Sequence, residues 1–386
     1  MNLFNIQKTH REAVSWLLIA AAVYWLASHH LPVKDKHYVY IADAFLHGSL
    51  SVTNPPADLI EVVHYKGGNY FGYGVMPALV LMPFVAIWGR AFDPAIVGIL
   101  LGAVNVFLVN RIFQRLKISR PARSWLTALF AFGTVHFHAA IWGTTWFFMQ
   151  VVAVFFLLLA IQELLGLNRG VLIGVLFGAA VLSRNAILFA SPFFLIVMNR
   201  PVWSWKRTAA FCAGLLAMLL GNSWYNFARF GSPFENGYAK VFNGEYGLFS
   251  RHYLKHNLYT YLLKPPEWLG HFPYLKPGTH GMSLFLTTPA FLLIFSSFKR
   301  IKSDPWIFAA WAATAAVGSL YLIYFWDGFV QFGVRYTLDY TPFLMILAAA
   351  GCAKALTLPK KGLIVLSILI NIWGIIWWRT THLNLV

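Results

Sequence analysis

The sequence predicts an all-α polytopic membrane protein that forms a single transmembrane domain over residues 1–386. Of its 386 residues, 59% are hydrophobic and only 11% are charged, whereas a soluble domain carries about 25% charged residues. The hydrophobic residues form long runs with basic residues gathered between them, which is typical of helices that cross a bilayer. We therefore expect about 11 transmembrane helices.

The predicted spans follow one another along the whole chain, with two departures from the simple pattern. Residues 74–89 are apolar but too few to cross a bilayer, so we expect a helix that lies along the outer interface. Residues 170–199 should form a hairpin of two short arms that turns at residues 183–185. The expected spans cover residues 13–30, 94–112, 124–142, 146–165, 170–184, 186–199, 207–225, 283–298, 306–325, 338–357 and 362–378.

Basic clusters predict the orientation of these spans. They lie at residues 111–123, 200–207 and 299–302, and the positive-inside rule assigns such clusters to the cytoplasmic side. The N-terminus is then cytoplasmic, and the protein belongs to the cytoplasmic (inner) membrane. Two large loops, 31–93 and 226–282, face outward, and we expect the active site on that side.

The same composition excludes several kinds of protein. The net charge of +17 is distributed as a topology signal, so we expect no nucleic-acid partner. The only two cysteines, Cys212 and Cys352, lie in apolar runs, which excludes a disulfide framework and a thiolate metal site. His136 and His138 are two residues apart and do not face the same way on a helix. We therefore expect no metal and no other cofactor.

Residues that could carry chemistry gather in the predicted external loops. Asp35 and Asp43 are about two helical turns apart and could share one helical face. Arg184 lies between two short apolar arms, and an arginine near membrane depth is a functional candidate by default. Arg335 lies in the last external loop. Acids that accept a proton, cations that hold a phosphate and aromatic rings that stack on sugars together favour glycosyl transfer from a lipid phosphate.

Four motifs, in this order, carry a resemblance to a known family. They are KDKHY (Lys34–Tyr38) before a juxtamembrane helix, YKGGNYFGYGVMPALVLMP (Tyr65–Pro83), YNFARFGSPFENGY (Tyr225–Tyr238) and WDGFVQFGVRYTLDYTP (Trp326–Pro342). The chain resembles the GT-C superfamily of polytopic glycosyltransferases, in particular protein mannosyltransferases and aminoarabinose transferases. The resemblance implies juxtamembrane helices in the first external loop and a polyprenyl-phosphate-linked sugar as donor. It departs from the family at Lys34, which stands where relatives carry the first acid of a pair.

The resemblance and the residue types together give each candidate a role. Asp35 is expected to be the general base that deprotonates an acceptor hydroxyl, with Asp43 assisting it; if Asp35→Asn keeps near-normal turnover, the role of base moves to Asp43 or Glu61. Displacement of the phosphate by one attack implies inversion at the sugar, and the acceptor can be a glycan, a lipid or a protein. The residues expected to hold the donor phosphate are Arg184, Arg335, Lys36, Tyr70 and Tyr73. Those expected to contact the sugar or the acceptor are His37, His64, Trp268, Trp326 and Asp327.

Each assignment has an alternative. Asp35 and Asp43 could be ordinary solvated charges, Arg184 could be a snorkelling anchor, and Arg335 could pair structurally with Asp327 or Asp339. At the level of the whole protein, the alternative is a transporter or flippase for a lipid-linked or anionic solute. Such a transporter typically has internal repeats and ionisable residues near the bilayer midplane, and neither is evident here. A non-catalytic scaffold would leave the polar groups of the first external loop without a purpose.

Overall fold

A computed structural model describes residues 3–28, 33–272, 274–352 and 356–382. Residues 31 and 32, where the first external loop was expected to begin, lie outside this part. Sixteen α-helices and four short strands are labelled in chain order. The helices are α1 Leu3–Ala27, α2 His37–Leu46, α3 Met76–Trp88, α4 Pro94–Arg115, α5 Arg120–Phe132, α6 Val135–Ile141, α7 Thr145–Leu164, α8 Gly170–Val181, α9 Ser191–Met198, α10 Trp205–Phe230, α11 Tyr238–Val241, α12 Leu254–Leu262, α13 Leu284–Thr287, α14 Pro305–Leu322, α15 Thr341–Cys352 and α16 Leu358–His382.

The strands pair as two antiparallel hairpins, β1 Val63–Tyr65 with β2 Gly68–Tyr70 and β3 Glu267–Trp268 with β4 Leu275–Lys276. In the first hairpin Val63 is opposite Tyr70, and in the second Glu267 is opposite Lys276. The expectation of an all-α protein did not include these hairpins. Strands of two or three residues are too short to show the alternating pattern by which a strand is recognised.

The protein is a helical membrane protein. Among the described residues, five helices are long and apolar enough to cross a bilayer: α4, α7, α10, α14 and α16. A sixth span arises if α5 and α6, which meet at a bend of 52°, are counted together. The helices α3, α8 and α15 are apolar but shorter, as is the segment of residues 185–198. The count of about 11 spans is therefore not reached by helices of spanning length.

Two expected spans differ from the structure for a physical reason. Residues 283–298 do not form one α-helix: they contain the short helix α13, followed by most of a 3₁₀ helix at Pro289–Arg300. Pro289 has no backbone N–H to donate, so an α-helix cannot continue through it unbroken. Likewise the segment 338–357 begins as a 3₁₀ turn, Arg335–Asp339, and becomes α15 only at Thr341. The expected break at residues 183–185 is present, since α8 ends at Val181 and a 3₁₀ helix begins at Asn185.

The helices pack in a connected series around α4 and α7. Helix α4 contacts α1, α5 and α7, α7 contacts α8, and α8 contacts α10. The α8–α10 crossing is close because Gly174 and Gly214 face it, and a Cβ atom at either position would collide with the opposite backbone. Such small-residue crossings are common between helices in membranes.

A second, smaller core holds the segment before α4 against α7. Helix α2 packs on α3, and its buried residues join those of α3 and α7 in one hydrophobic cluster. His37 anchors the start of α2, because its backbone N–H donates to Thr145 Oγ1 over 3.0 Å and its ring contacts the same oxygen at 2.9 Å. Residues 71–75, which follow the first hairpin, lie beside the start of α7 and the end of α8.

Candidate functional site

A cavity of about 680 Å³ opens where the non-helical segments of the chain meet. Its wall combines residues 72–74, the start of α7, the break after α8, residues 234–249, the end of α14 and the 3₁₀ turn at Arg335–Asp339. Each of these segments begins or ends a helix, so polar backbone and side chains are concentrated there. The cavity therefore brings together groups that the apolar helices alone would not carry.

Glu61 supplies a carboxylate to this cavity. Its Oε2 accepts a hydrogen bond of 3.2 Å from Trp146 Nε1, at the start of α7. Burial raises the pKa of Glu61 from 4.5 to about 7, against the lowering effects of Trp146 and Arg335, and Asp35 raises it further. A carboxyl group with a pKa near neutrality can accept a proton efficiently at physiological pH.

The backbone of Glu61 is also unusual. Its φ of +63° lies in the left-handed region, which non-glycine residues seldom adopt and which is found preferentially at functional sites. The indole nitrogen of Trp146 also contacts Tyr73 Oη at 3.2 Å, so Glu61, Trp146 and Tyr73 form one polar contact group on the cavity wall.

Arg335 supplies a guanidinium that forms no ion-pair contact in the described part of the chain and interacts with Glu61 only at longer range. The residue is 6% exposed, and its Nη1 donates to the carbonyl oxygen of Phe329 over 2.9 Å. Among the described residues no carboxylate oxygen lies within 4 Å of it, and its buried Nε has no hydrogen-bond partner. The expected alternative of an ion pair with Asp327 or Asp339 is therefore absent. A buried arginine without an acid is suited to an anionic ligand.

Arg184 also lines the cavity, but it is already paired. Its Nε lies 3.1 Å from Asp339 Oδ2, its Nη2 donates to Tyr321 Oη over 2.8 Å, and Asp339 is fully buried. Tyr321 in turn donates to Asp339, and the Tyr336 ring lies 4.8 Å from the guanidinium carbon. The charge of Arg184 is thus compensated, and the residue ties the break after α8 to the 3₁₀ turn that carries Arg335.

Aromatic side chains form much of the remaining cavity wall. Trp326 and Tyr336 come from the segment that contains Arg335, and the hydroxyl groups of Tyr238 and Tyr324 are hydrogen-bonded to each other. Aromatic faces of this kind give apolar contact area and, through their hydroxyl groups, hydrogen bonds.

Of the residues singled out in the sequence, the cavity brings together Arg184, Arg335, Tyr73 and Trp326. Asp35 does not belong to its lining. Burial raises the pKa of Asp35, and nearby Asp58 adds to this effect, while its backbone oxygen accepts from the Thr145 N–H over 2.9 Å.

The other candidates in the first loop lie outside the cavity and have partners of their own. Asp43 Oδ2 accepts from Arg90 Nε over 2.7 Å, and Lys36 Nζ donates to the Arg90 carbonyl oxygen over 2.6 Å. His37 is completely buried, and burial lowers its pKa to about 4, so its ring is neutral. His64 Nδ1 lies 2.8 Å from Asn69 Oδ1 on the first hairpin, and the Tyr70 ring packs on Phe230.

The two remaining candidates, Trp268 and Asp327, do not belong to the cavity lining. Trp268 is on β3 and is 74% exposed. Asp327 is 4% exposed and binds two histidines, since its Oδ2 lies 2.8 Å from His256 Nε2 and its Oδ1 lies 2.8 Å from His280 Nδ1. Asp327 therefore holds its loop to α12 and to the segment before α13.

An apolar groove of about 510 Å³ adjoins the cavity between α3 and α10. Leu182 and Val75 line the groove, whereas the neighbouring Arg184 and Gly74 line the cavity. Main chain meets main chain between these lining residues: Met76 N–H donates to the Leu182 oxygen over 3.3 Å, and a Cβ at Gly74 would collide with that oxygen.

Trp146 was not anticipated from the sequence, and Glu61 was expected to act as base only if Asp35 did not. Glu61 is one of several acids in the first loop, and nothing in its neighbours distinguishes it there. Trp146 lies at the start of an apolar helix among many aromatic residues. Glu61 differs from Asp35 in that it lines the cavity and accepts a hydrogen bond from Trp146, and both properties depend on tertiary contacts.

No protein-family model, curated protein or solved structure matches this chain. Within the described residues, no group of three or more histidine, cysteine, aspartate or glutamate side chains could hold a metal ion. The site must therefore be interpreted from its own chemistry.

Proposed function

We propose that the protein is a membrane glycosyltransferase of the GT-C type that moves one sugar from a polyprenyl-phosphate donor to an acceptor hydroxyl. The observation that carries the proposal is the pair of opposite groups in one cavity. Glu61 is a carboxylate with a pKa of about 7, and Arg335 is a buried cation whose guanidinium forms no ion-pair contact with a carboxylate of the described residues. A base for an attacking hydroxyl and a cation for a departing phosphate are the two groups that this reaction requires.

The reaction is a single displacement. The acceptor oxygen attacks the anomeric carbon while Glu61 takes the hydroxyl proton, and the new C–O bond forms as the bond from carbon to phosphate oxygen breaks. The leaving polyprenyl phosphate keeps the electron pair, and Arg335 stabilises the growing negative charge. One displacement inverts the anomeric configuration. A phosphate leaves without prior protonation, so one carboxylate suffices.

This proposal moves the role of base from Asp35 to Glu61. Asp35 acts indirectly, because its negative charge helps to raise the pKa of Glu61. Arg335 takes the role of principal phosphate ligand, and Arg184, paired with Asp339, maintains the shape of the wall.

The adjoining groove supports a lipid donor. Its lining is almost wholly apolar, with Leu79, Met82 and Trp224 among its residues, and isoprenoid chains gain free energy in such a groove by leaving water. A donor with its phosphate at Arg335 could pass over the backbone near Gly74 and continue into the groove. On this proposal the N-terminus is cytoplasmic and the cavity faces outward from the inner membrane.

The test is a transfer assay with purified protein in liposomes. Polyprenyl-phosphate sugars are supplied with a membrane extract as the source of acceptor, and mass spectrometry measures the polyprenyl phosphate released. Wild-type protein should release it, and Glu61→Gln should lower the rate by at least about 100-fold, within the range of a general base. Movement of the intact lipid-linked sugar between leaflets, without any release of polyprenyl phosphate, would instead identify a flippase.

A further inference from the structure

The segment that carries Arg335 is organised around one buried amide. Gln331 has no exposed surface, and its Nε2 donates to the carbonyl oxygens of His280 over 3.0 Å and of Asp327 over 2.9 Å. Its Oε1 accepts the backbone N–H of Arg335 over 3.2 Å and lies 3.5 Å from Arg335 Nη1. One side chain therefore connects the loop at residue 280, the turn at residue 327 and the arginine of the cavity.

We propose that Gln331 is a positioning residue that orients Arg335 and keeps its charge available for a phosphate. This inference rests on the proposed function. A glutamine can accept a hydrogen bond from the guanidinium without neutralising it, whereas a glutamate at the same position would form an ion pair. The carboxylate of Asp327 forms no ion pair with Arg335, and its two oxygens are bound instead to His256 and His280.

The contrast with Arg184 shows what this arrangement achieves. Arg184 has a buried carboxylate partner, Asp339, and Arg335 has an amide in the comparable position. Two arginines thus line one cavity, but among the described residues only Arg184 is held in an ion pair, whereas Arg335 contacts an amide and interacts with Glu61 at longer range. Anion recognition by an arginine requires both its charge and a fixed orientation of its planar donor group.

The experiment compares the binding of a short prenyl phosphate, farnesyl phosphate, with that of uncharged farnesol to the full-length protein in detergent. Gln331→Glu should weaken farnesyl phosphate binding by about tenfold or more, because the new carboxylate competes for Arg335. Farnesol binding should stay near the wild-type value, whereas the melting temperature should fall, because a glutamate cannot donate to the carbonyl oxygens of His280 and Asp327. A purely structural role for Gln331 predicts parallel losses for both ligands, and unchanged phosphate affinity also overturns the inference.

Two further variants make the comparison specific. Gln114→Glu is the matched control, because Gln114 Oε1 accepts from Arg111 over 2.9 Å on α4, outside the cavity lining, and it should leave both affinities unchanged. If Gln331→Glu does not fold, Gln331→Asn withdraws the amide by one methylene and should weaken farnesyl phosphate binding several-fold while farnesol binding persists. A wild-type protein that does not bind farnesyl phosphate would overturn the proposed function, and this inference with it; binding that is equal in all variants would overturn this inference alone.

Discussion

Replacing Glu61 with glutamine should have opposite effects on turnover and on stability. A rise in pKa from 4.5 in the unfolded chain to about 7 in the folded protein corresponds to roughly 3 kcal/mol, at about 1.4 kcal/mol per unit. Because the folded state binds this proton more tightly, the free energy of unfolding falls as the pH rises from 4.5 through about 7. Glu61 is partly exposed, so solvent screening reduces the effect to about 1–2 kcal/mol. Glutamine removes the charge and retains an oxygen that can accept from Trp146.

The assay is chemical or thermal unfolding in detergent at pH 5 and at pH 8, together with the transfer rate. Glu61→Gln should be more stable than wild type at pH 8 and equal to it at pH 5, while transfer is lost at both. The matched control is Glu235→Gln, a second acid of the cavity wall that already accepts from the Gly237 N–H over 2.7 Å, which should gain no stability at pH 8. If wild type and Glu61→Gln show the same pH dependence of unfolding, the assignment of a raised pKa and of the base is wrong.

Three other predictions concern the surroundings of the site. Transfer by wild type should rise with pH to a plateau with a midpoint near pH 7, as Glu61 loses its proton, and Asp35→Asn should move that midpoint to lower pH with only a modest change in the plateau rate. A loss of about 100-fold at every pH would return the role of base to Asp35. Arg184→Gln should lower the free energy of unfolding by about 3 kcal/mol, since it leaves Asp339 buried without its ion-pair partner. An unchanged melting temperature with weakened prenyl phosphate binding would show instead that Arg184 serves the ligand. A single cysteine at Ser51 in a cysteine-free background should react with a membrane-impermeant thiol reagent from outside the cell, and labelling only from the cytoplasmic side would refute the outward orientation of the cavity.

The class of the protein was predictable from composition, but the contacts of its cavity were not. The expectation of a helical membrane protein is confirmed by five or six helices of spanning length among the residues that the structure describes, because long apolar runs form helices in a bilayer to satisfy their backbone hydrogen bonds. The break near Arg184 was also predictable, since two short apolar arms on either side of polar residues cannot form one continuous span.

The groups that give the cavity its chemistry depend on residues far apart in sequence. Trp146 meets Glu61 across 85 positions, and Arg184 meets Asp339 across 155. A sequence pattern contains no information on such pairs, so the sequence favoured Asp35 over Glu61 as base and Arg184 over Arg335 as phosphate ligand, the opposite of the order that we propose from the cavity. Burial, which raises the pKa of Glu61 and shields the guanidinium of Arg335 from solvent, is a property of the assembled fold.

The backbone contact between Gly74 and Leu182 forms a fixed boundary between the polar cavity and the apolar groove. Because main chain touches main chain there, the boundary cannot adapt by changing a rotamer. On the proposed function, a lipid donor that occupies both the cavity and the groove places the junction between its phosphate and its isoprenoid chain at this backbone contact. On the proposed function, selection among lipids then depends on the few bonds at the junction, namely the charge and length of the linkage. On the same proposal, the number of isoprene units beyond the groove should have little effect on donor affinity, since these units would extend into the bilayer.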